Sequence, residues 1–453
     1  MQLHLNLTSL NNSEMEITKF DLAPNPREIV VSSPDSQIYL TITIGNGQIG
    51  GSKVKDGDTY LAKGDLSTQT SLGKASVLKD KVLDFRTNVL DVNQSTNKCI
   101  ISTRIVNENH KVLFSKTDNG DAPTDGIASF IGSYIVRVTS VLLVLLMNTM
   151  AFAQNDLSFE SMQTPASPGF ILLDQTPSAI ERPTTPQGFG TSVLGLFSGS
   201  GGAMEVAPYW LVNHANLSAE DMYKKHGELI QNFAISAAHV VADSVGYVSF
   251  GARTRLFRTY GKKQIAKLDS LKTVLINLLA DIDDNSSLDA VEAARKEYAD
   301  LILKPIFTVD LAGATAGSSA TNSYNDLQSS RWGIWASLNW RPKGNDFYVT
   351  VLGRYIGNNR FAGYTNNSNL VDIGARANYD IGKFSASFEY LQRFDLVSTS
   401  TTVDNRLAAI GSYQLSDKFY LTATFGKDFS NVNNMIAMAG VNFGFSQSKV
   451  KAF

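Results

Sequence analysis

Val371-Asp-Ile-Gly-Ala-Arg-Ala-Asn-Tyr-Asp380 alternates without a break: Val371, Ile373, Ala375, Ala377 and Tyr379 fall on one side of an extended chain, and Asp372, Gly374, Arg376, Asn378 and Asp380 on the other. Tyr247-Val-Ser-Phe-Gly-Ala-Arg-Thr-Arg-Leu-Phe257 repeats the pattern, with Val248, Phe250, Ala252, Thr254 and Leu256 opposite Ser249, Gly251, Arg253 and Arg255. A period of two specifies strands with two chemically different faces. Alternation alone does not choose between a soluble sandwich and a membrane barrel, so the composition of each face must. The apolar faces carry small residues, as in AMAGVNFGF, and end in aromatics such as Trp332, Trp340, Tyr355, Tyr379, Phe394 and Tyr413. Aromatics at strand ends suit a bilayer interface. The polar faces carry full charges near mid-strand, which a protein core excludes and a polar barrel lumen accepts.

The same pattern reads from TSVLGLFS and MEVAPYWLV through QNFAISAAHVV, YVSFGARTRLF, FTVDLAGAT, RWGIWASLNW, FYVTVLGRYIG, LVDIGARANYD, FSASFEYLQRF, RLAAIGSYQL and FYLTATFGK to IAMAGVNFGF. The expected fold is therefore all-β, with a C-terminal transmembrane antiparallel β-barrel of about twelve strands over residues 191–453. In its second half, short turns (RPKGND, DIGKF, LSDK) alternate with longer loops (FAGYTNNSN, STSTTVDN, FSNVNNM). In its first half the parity breaks, because NHANLSAED and the segment after Phe257 are both long. Either a strand is miscounted or the long first-half connections lie on the short-turn side.

The chain has 453 residues, 40 Lys and Arg against 42 Asp and Glu, one cysteine, and mean hydropathy −0.08. Near-neutral charge argues against a nucleic-acid partner, and one cysteine excludes a disulfide framework. The longest apolar run, Val141 to Met147, follows Arg137 and precedes Ala151-Phe152-Ala153. That is the order of a secretory signal with a cleavage site after Ala153, so residues 136–153 read as a signal-like segment. Residues 154–190 follow as a proline-rich leader containing Pro165, Pro168, Pro177, Pro183 and Pro186. A signal this far from the N-terminus suggests that residues 1–135 are a separate small protein joined by a merged reading frame. A true fusion that retains the apolar segment is the other reading. On the merger, the membrane species begins near Gln154.

Residues 1–135 read as a small all-β domain from QIYLTITIG, KASVLKDKVLDFRTNVLDV, CIISTRIVNE and HKVLFSKTD. Gly45-Asn-Gly-Gln-Ile-Gly50 has the letters of a dinucleotide-binding turn, but SKVKDGDTY after it reads as turn, not helix, leaving a glycine-rich hairpin loop as the better reading. Cys99 fits a small core residue, and His110 a solvent-facing polar one.

Residues 262–303 break the β pattern. Ile265, Leu268, Leu271, Leu275, Leu278 and Ile282 recur at helical spacing, as do Leu288, Val291, Ala294, Tyr298 and Leu301 before Pro305, predicting a helical hairpin on one barrel rim. Between the helices, Asp281, Asp283, Asn285, Asp289 and Glu292 stand at positions 1, 3, 5, 9 and 12 of a calcium loop. Ser286 replaces the glycine that such a loop needs at its sixth position, so a solvated acidic turn is preferred over a Ca2+ site. No other cofactor is expected.

Projecting the polar faces inward lines the lumen with Glu205, Arg253, Arg255, Asp310, Arg354, Asp372, Arg376, Glu389 and Arg393. Such a wall either selects solutes or closes a narrow barrel through ion pairs. A membrane hydrolase needs a histidine within reach of a serine, and His214, His226 and His239 are not so placed by spacing. No catalytic residue is assigned and no enzyme is expected.

Ile180-Glu-Arg-Pro-Thr-Thr-Pro-Gln-Gly-Phe-Gly190, Val206-Ala-Pro-Tyr-Trp-Leu-Val-Asn-His-Ala-Asn-Leu-Ser218 and the closing alternation through Phe443 and Phe445 resemble outer-membrane β-barrel proteins of the Bacteroidota type. The resemblance covers about residues 155–453 and implies the outer membrane of a Gram-negative bacterium, with lipid as the partner. It brings no catalytic residues. The expected role is a small-solute channel or transporter. The alternative is a structural or partner-binding envelope component that uses the helical hairpin to meet other envelope proteins.

Overall fold

The computed structural model describes residues 15–138 apart from 23–24, then 180–181, then 201–443 apart from 225–228, 243–244, 284–286, 320–323, 343–345, 360–367, 397–402, 417–418 and 428–434. The apolar run after Arg137, the proline-rich leader beyond Ile180-Glu181 and the expected strand TSVLGLFS lie outside the described residues.

Ten strands build the N-terminal unit: β1 (Ile17–Asp21), β2 (Arg27–Val31), β3 (Gln37–Ile44), β4 (Ile49–Asp56), β5 (Thr59–Gly64), β6 (Thr70–Lys74), β7 (Val82–Leu90), β8 (Lys98–Asn107), β9 (Val112–Asp121) and β10 (Ile127–Val138), with a single turn of helix, α1 (Ala75–Leu78). One sheet runs β1-β10-β7-β4-β5 with β2 also on β10, and the other runs β6-β3-β8-β9. They face each other over Ile38, Leu40, Ile42, Val54, Leu83, Phe85, Ile105, Tyr134 and Val136, all buried. Cys99 is buried on β8, and His110 is exposed in the turn after it. The stretch after Gly50 departs from its expected reading as turn: SKVK continues β4 to Asp56, and the chain reverses at Gly57, where φ is 59°. β10, central to its sheet, runs through Arg137 to Val138, so the first three residues of the signal-like segment belong to this sandwich.

Asn46 and Gly47, with φ of 55° and 68°, turn the chain between the two sheets. Beside them Gln48 is buried and ties down the segment after β7: its amide nitrogen donates to Asp91 Oδ1 and to Thr96 O, each at 2.9 Å, and its oxygen accepts from the Val92 and Asn93 N–H groups. No helix follows the glycines, so the dinucleotide reading has no support in the fold.

The second unit is one twelve-stranded sheet in sequence order: β11 (Ile180–Glu181), β12 (Gly201–Val206), β13 (Ala234–Ala242), β14 (Val245–Thr259), β15 (Phe307–Ser319), β16 (Gln328–Trp340), β17 (Phe347–Asn359), β18 (Ser368–Ile381), β19 (Phe384–Asp395), β20 (Val403–Ser416), β21 (Phe419–Lys427) and β22 (Met435–Phe443). β11 is a two-residue piece parallel to β12; every other neighbour is antiparallel. Among the described residues β22 pairs only with β21, so no closing pair is seen. The expected strand MEVAPYWLV ends at Val206, because Pro208 cannot donate to a ladder and starts a 3-10 turn over Pro208–Leu211.

Between β12 and β13 lies α2 (Asp221–Lys224), and between β14 and β15 stand α3 (Lys262–Asp281) and α4 (Asp289–Ile302), as the helical periodicity predicts. The order of strands puts these two long connections at the same end of the sheet as the short turns after Trp340, Ile381 and Ser416. That order matches the second reading of the broken parity, in which the long connections lie on the short-turn side. Lys304 Nζ at 3.1 Å from an Asp346 carboxylate oxygen, and Arg341 N at 2.7 Å from Ile306 O, tie the hairpin's base to the neighbouring turn.

Burial pushes the carboxyl of Asp91, 5% exposed, up to about 8. Its proton is bound more tightly folded than unfolded, so folding takes up a proton between about pH 4 and 8 and stability falls as pH rises through that window. The loss should be on the order of a few kcal/mol in the urea unfolding of the N-terminal sandwich. Asp91→Asn should remove that slope.

Candidate functional site

Along the twelve-stranded sheet, charge is buried and apolar surface is exposed. On β18, Asp372 has 0% exposure while its neighbour Ile373 has 55%. On β19, Glu389 has 0% while Phe388 has 54%. Successive side chains on a strand point to opposite faces, so one face collects Glu205, Ser236, Ser249, Arg331, Arg376, Asn378 and Ser387, all buried. The other face presents Leu311, Ile334, Leu338, Val351, Ile373 and Leu407. At the short-turn end this outer face carries exposed Phe257, Trp340, Phe347, Tyr379, Phe384 and Tyr413. Trp332 is exposed toward the opposite end.

Register arranges the buried charges in rows across the strands. Arg354, Asp372, Arg393 and Asp404 are successive cross-strand partners on β17 to β20, giving an alternation of sign. Asp372 stands between two guanidinium groups, accepting from Arg354 Nε at 2.8 Å and from Arg393 Nε at 2.7 Å. Each arginine side chain is 16% exposed. A second row runs Arg258, Thr308, Asn339, Thr350, Arg376 and Glu389. In it, Thr350 Oγ1 donates to Asn339 Oδ1 at 2.6 Å, and Asn339 Nδ2 donates to Thr308 Oγ1 at 3.0 Å. Arg376 donates to Ser387 Oγ at 2.8 Å, and Arg406 Nε lies 2.9 Å from Glu389 Oε1. Farther along the sheet, Arg253 makes a two-point contact with Glu205 at 2.9 Å through each nitrogen, and Arg255 Nε donates to Asp310 at 2.8 Å. Planar guanidinium groups suit such two-point pairing.

All nine side chains assigned to the lumen from the sequence fall on this one face, in partnerships with one another or with neighbouring polar groups. Arg406 and Arg258 also lie on this face and are not among those nine, although Arg406 shares the strand parity of Asp404, the partner of Arg393. The acidic turn is arranged otherwise. Asp281 pairs with Lys63, Asp283 with Lys53, Asp289 accepts from Ser287 Oγ, and Glu292 pairs with Lys296 at 2.7 Å. Asn285 lies outside the described residues. Among those described, no group of three His, Cys, Asp or Glu side chains is placed to hold a metal ion.

The histidines have structural surroundings. His214 stacks on Tyr209 at 3.7 Å between ring centroids, and its Nε2 lies 2.7 Å from Tyr209 O. His239 has the strand parity of Ile235, which is 41% exposed, and is itself buried. His226 lies outside the described residues.

No protein-family model matches this chain, and no curated protein matches it. Among solved structures it is similar to a mutant porin of Rh. blastica (11% identity, 90% of this chain and 99% of that one, TM-score 0.24). It is also similar to Pseudomonas aeruginosa OccK2 in complex with glucuronate (8%, 90% and 96%, TM-score 0.25) and to Salmonella typhi OmpF in complex with daunomycin (7%, 88% and 92%, TM-score 0.24). TM-scores this low carry no weight for fold or function.

Asp372→Asn should leave Arg354 and Arg393 facing each other with no anion between them. Removing one member of a buried ionic group costs about 3–5 kcal/mol, read as a lower urea midpoint for the sheet in detergent.

Proposed function

We propose that residues 201–443 form the wall of an outer-membrane β-barrel that passes small solutes. The observation that supports this reading is the inverted burial on shared strands, with Asp372 and Glu389 wholly enclosed while Ile373 and Phe388 are more than half exposed. In water this arrangement wastes apolar surface and desolvates charge. Against hydrocarbon the same outer face is the stable one, and the paired charges become an inner wall. The aromatic row at the short-turn end then sits at the headgroup level, and the short turns and hairpin lie on the periplasmic side. An open sheet edge is not tolerated in lipid, so in the membrane the free edge of β22 would have to be paired.

The wall's chemistry suggests how it treats solutes. Rows of arginine and carboxylate at fixed depth set a local potential and narrow the bore, and solutes able to exchange hydrogen bonds with guanidinium groups gain passage. The hairpin favours a second reading as a structural envelope component, because its α3 face is engaged with a folded β-sandwich.

The purified protein in planar bilayers should show discrete conductance. Arg393→Ala or Arg376→Ala should then shift the reversal potential in a salt gradient toward cation preference, since each removes one positive wall charge. Membrane insertion without conductance would reject the channel and leave the structural role.

A further inference from the structure

Three sequence features have no part in the proposed channel: the glycine-rich turn Gly45 to Gly50, the acidic turn Asp281 to Glu292, and the helical hairpin. They meet at one place. Ile49, Leu90 and Ile127 of the sandwich share a buried apolar cluster with Leu268, Leu271, Leu275 and Leu279 of α3, Val291 and Tyr298 of α4, and Tyr223 of α2. Gly51 lies flush under α3: a Cβ there would come within 2.1 Å of Ile276 O and 2.5 Å of Ala280 N. No side chain larger than hydrogen fits that approach.

Polar groups complete the contact. The last carbonyls of a helix lack partners within it and carry the negative end of its dipole. Here the sandwich supplies the donors: Asn88 Nδ2 reaches Leu279 O at 2.8 Å, and Lys53 Nζ reaches Ile282 O at 2.9 Å while also pairing with Asp283. Asn88 is 0% exposed and Lys53 3%. A buried lysine is costly without such partners, so this pair of strands is shaped for a helix end. On α4, Arg295 pairs with Asp125 of the sandwich at 2.6 Å. At the glycine turn, Asn46 N donates to His214 O at 2.8 Å, Gly47 N to Leu217 O at 2.7 Å, and His214 N to Asn46 Oδ1 at 2.7 Å.

We infer that the N-terminal β-sandwich is the dedicated partner of the helical hairpin and of the connection between β12 and β13, and that this docking holds without the covalent link between the two units. The inference departs from the merged-frame expectation, since it makes one assembly of what spacing alone divides in two. The contact itself does not depend on conductance. Only its placement on the periplasmic side rests on the barrel reading.

The test uses the full chain, with a site-specific protease sequence inserted after Gln154 and a tag at the N-terminus. After cleavage in detergent at 0.15 M salt, the sandwich should remain with the C-terminal portion on gel filtration. Gly51→Val, a substitution that suits a strand, should release a sandwich that keeps its β circular dichroism. Arg295→Glu should lower the retained fraction about tenfold or more, and Arg295→Glu with Asp125→Arg should restore it. Separation of the cleaved wild-type units, or full retention in both Gly51→Val and Arg295→Glu, would overturn the inference. So would a native membrane species that begins near Gln154 and carries no sandwich.

Discussion

A carboxylate with no access to water must find its counter-charge inside the protein, and in this chain that requirement organises a whole sheet. Asp372 and Glu389 are fully enclosed; Asp372 is met by arginines from both adjacent strands and Glu389 by Arg406. Such contacts are possible only if neighbouring strands keep one register, because a slip by one residue would turn every charge to the apolar face. The arginine–carboxylate rows therefore act as register pins, at a desolvation cost offset by two-point hydrogen bonds. The outer face follows from the same parity. Once charges alternate onto one face, the residues between them must fall on the other, and here they are Ile373, Phe388, Ile334 and Val351.

The helical hairpin solves a different problem with the same physics. Its acidic turn would be a solvated linker on an isolated hairpin. Against the sandwich, Asp281 and Asp283 find Lys63 and Lys53, and Lys53 also takes a helix-end carbonyl. The contact burdens the sandwich with residues that make poor sense alone: a buried lysine, a buried asparagine, and a glycine in mid-strand at Gly51. Each is explained by α3. Tyr223 Oη donating to Asp269 at 2.6 Å and Lys224 Nζ at 3.0 Å from the same carboxylate hold the β12–β13 connection to α3, so the two long connections are joined to each other.

Strand identity and facing were legible from alternation, and the two helices from their apolar period. Their extents in the structure, Lys262–Asp281 and Asp289–Ile302, follow the spacing of Leu268, Leu271 and Leu275 and of Val291 and Tyr298. Two local readings failed for local reasons. Pro208 ends a strand that its apolar letters would continue, and SKVK stays in a strand because only Gly57 supplies the reversal. β10 went unread because its residues run directly into the apolar segment after Arg137, with no turn signal between them.

What the amino-acid sequence determined by itself is periodicity: which residues share a face, which segments are helical, and that one face of the long sheet is charged. These are properties of neighbours along the chain, and a period of two or 3.6 is enough to set them. Which charges meet was decided only by tertiary structure, since Arg354, Asp372, Arg393 and Asp404 stand on four strands and become a row only through register. The same holds for Gly51 beneath α3 and Lys53 at its end, whose partners lie more than two hundred residues away in sequence. Spacing carries no information about contacts of that separation; packing and the need to pair buried charge supply it.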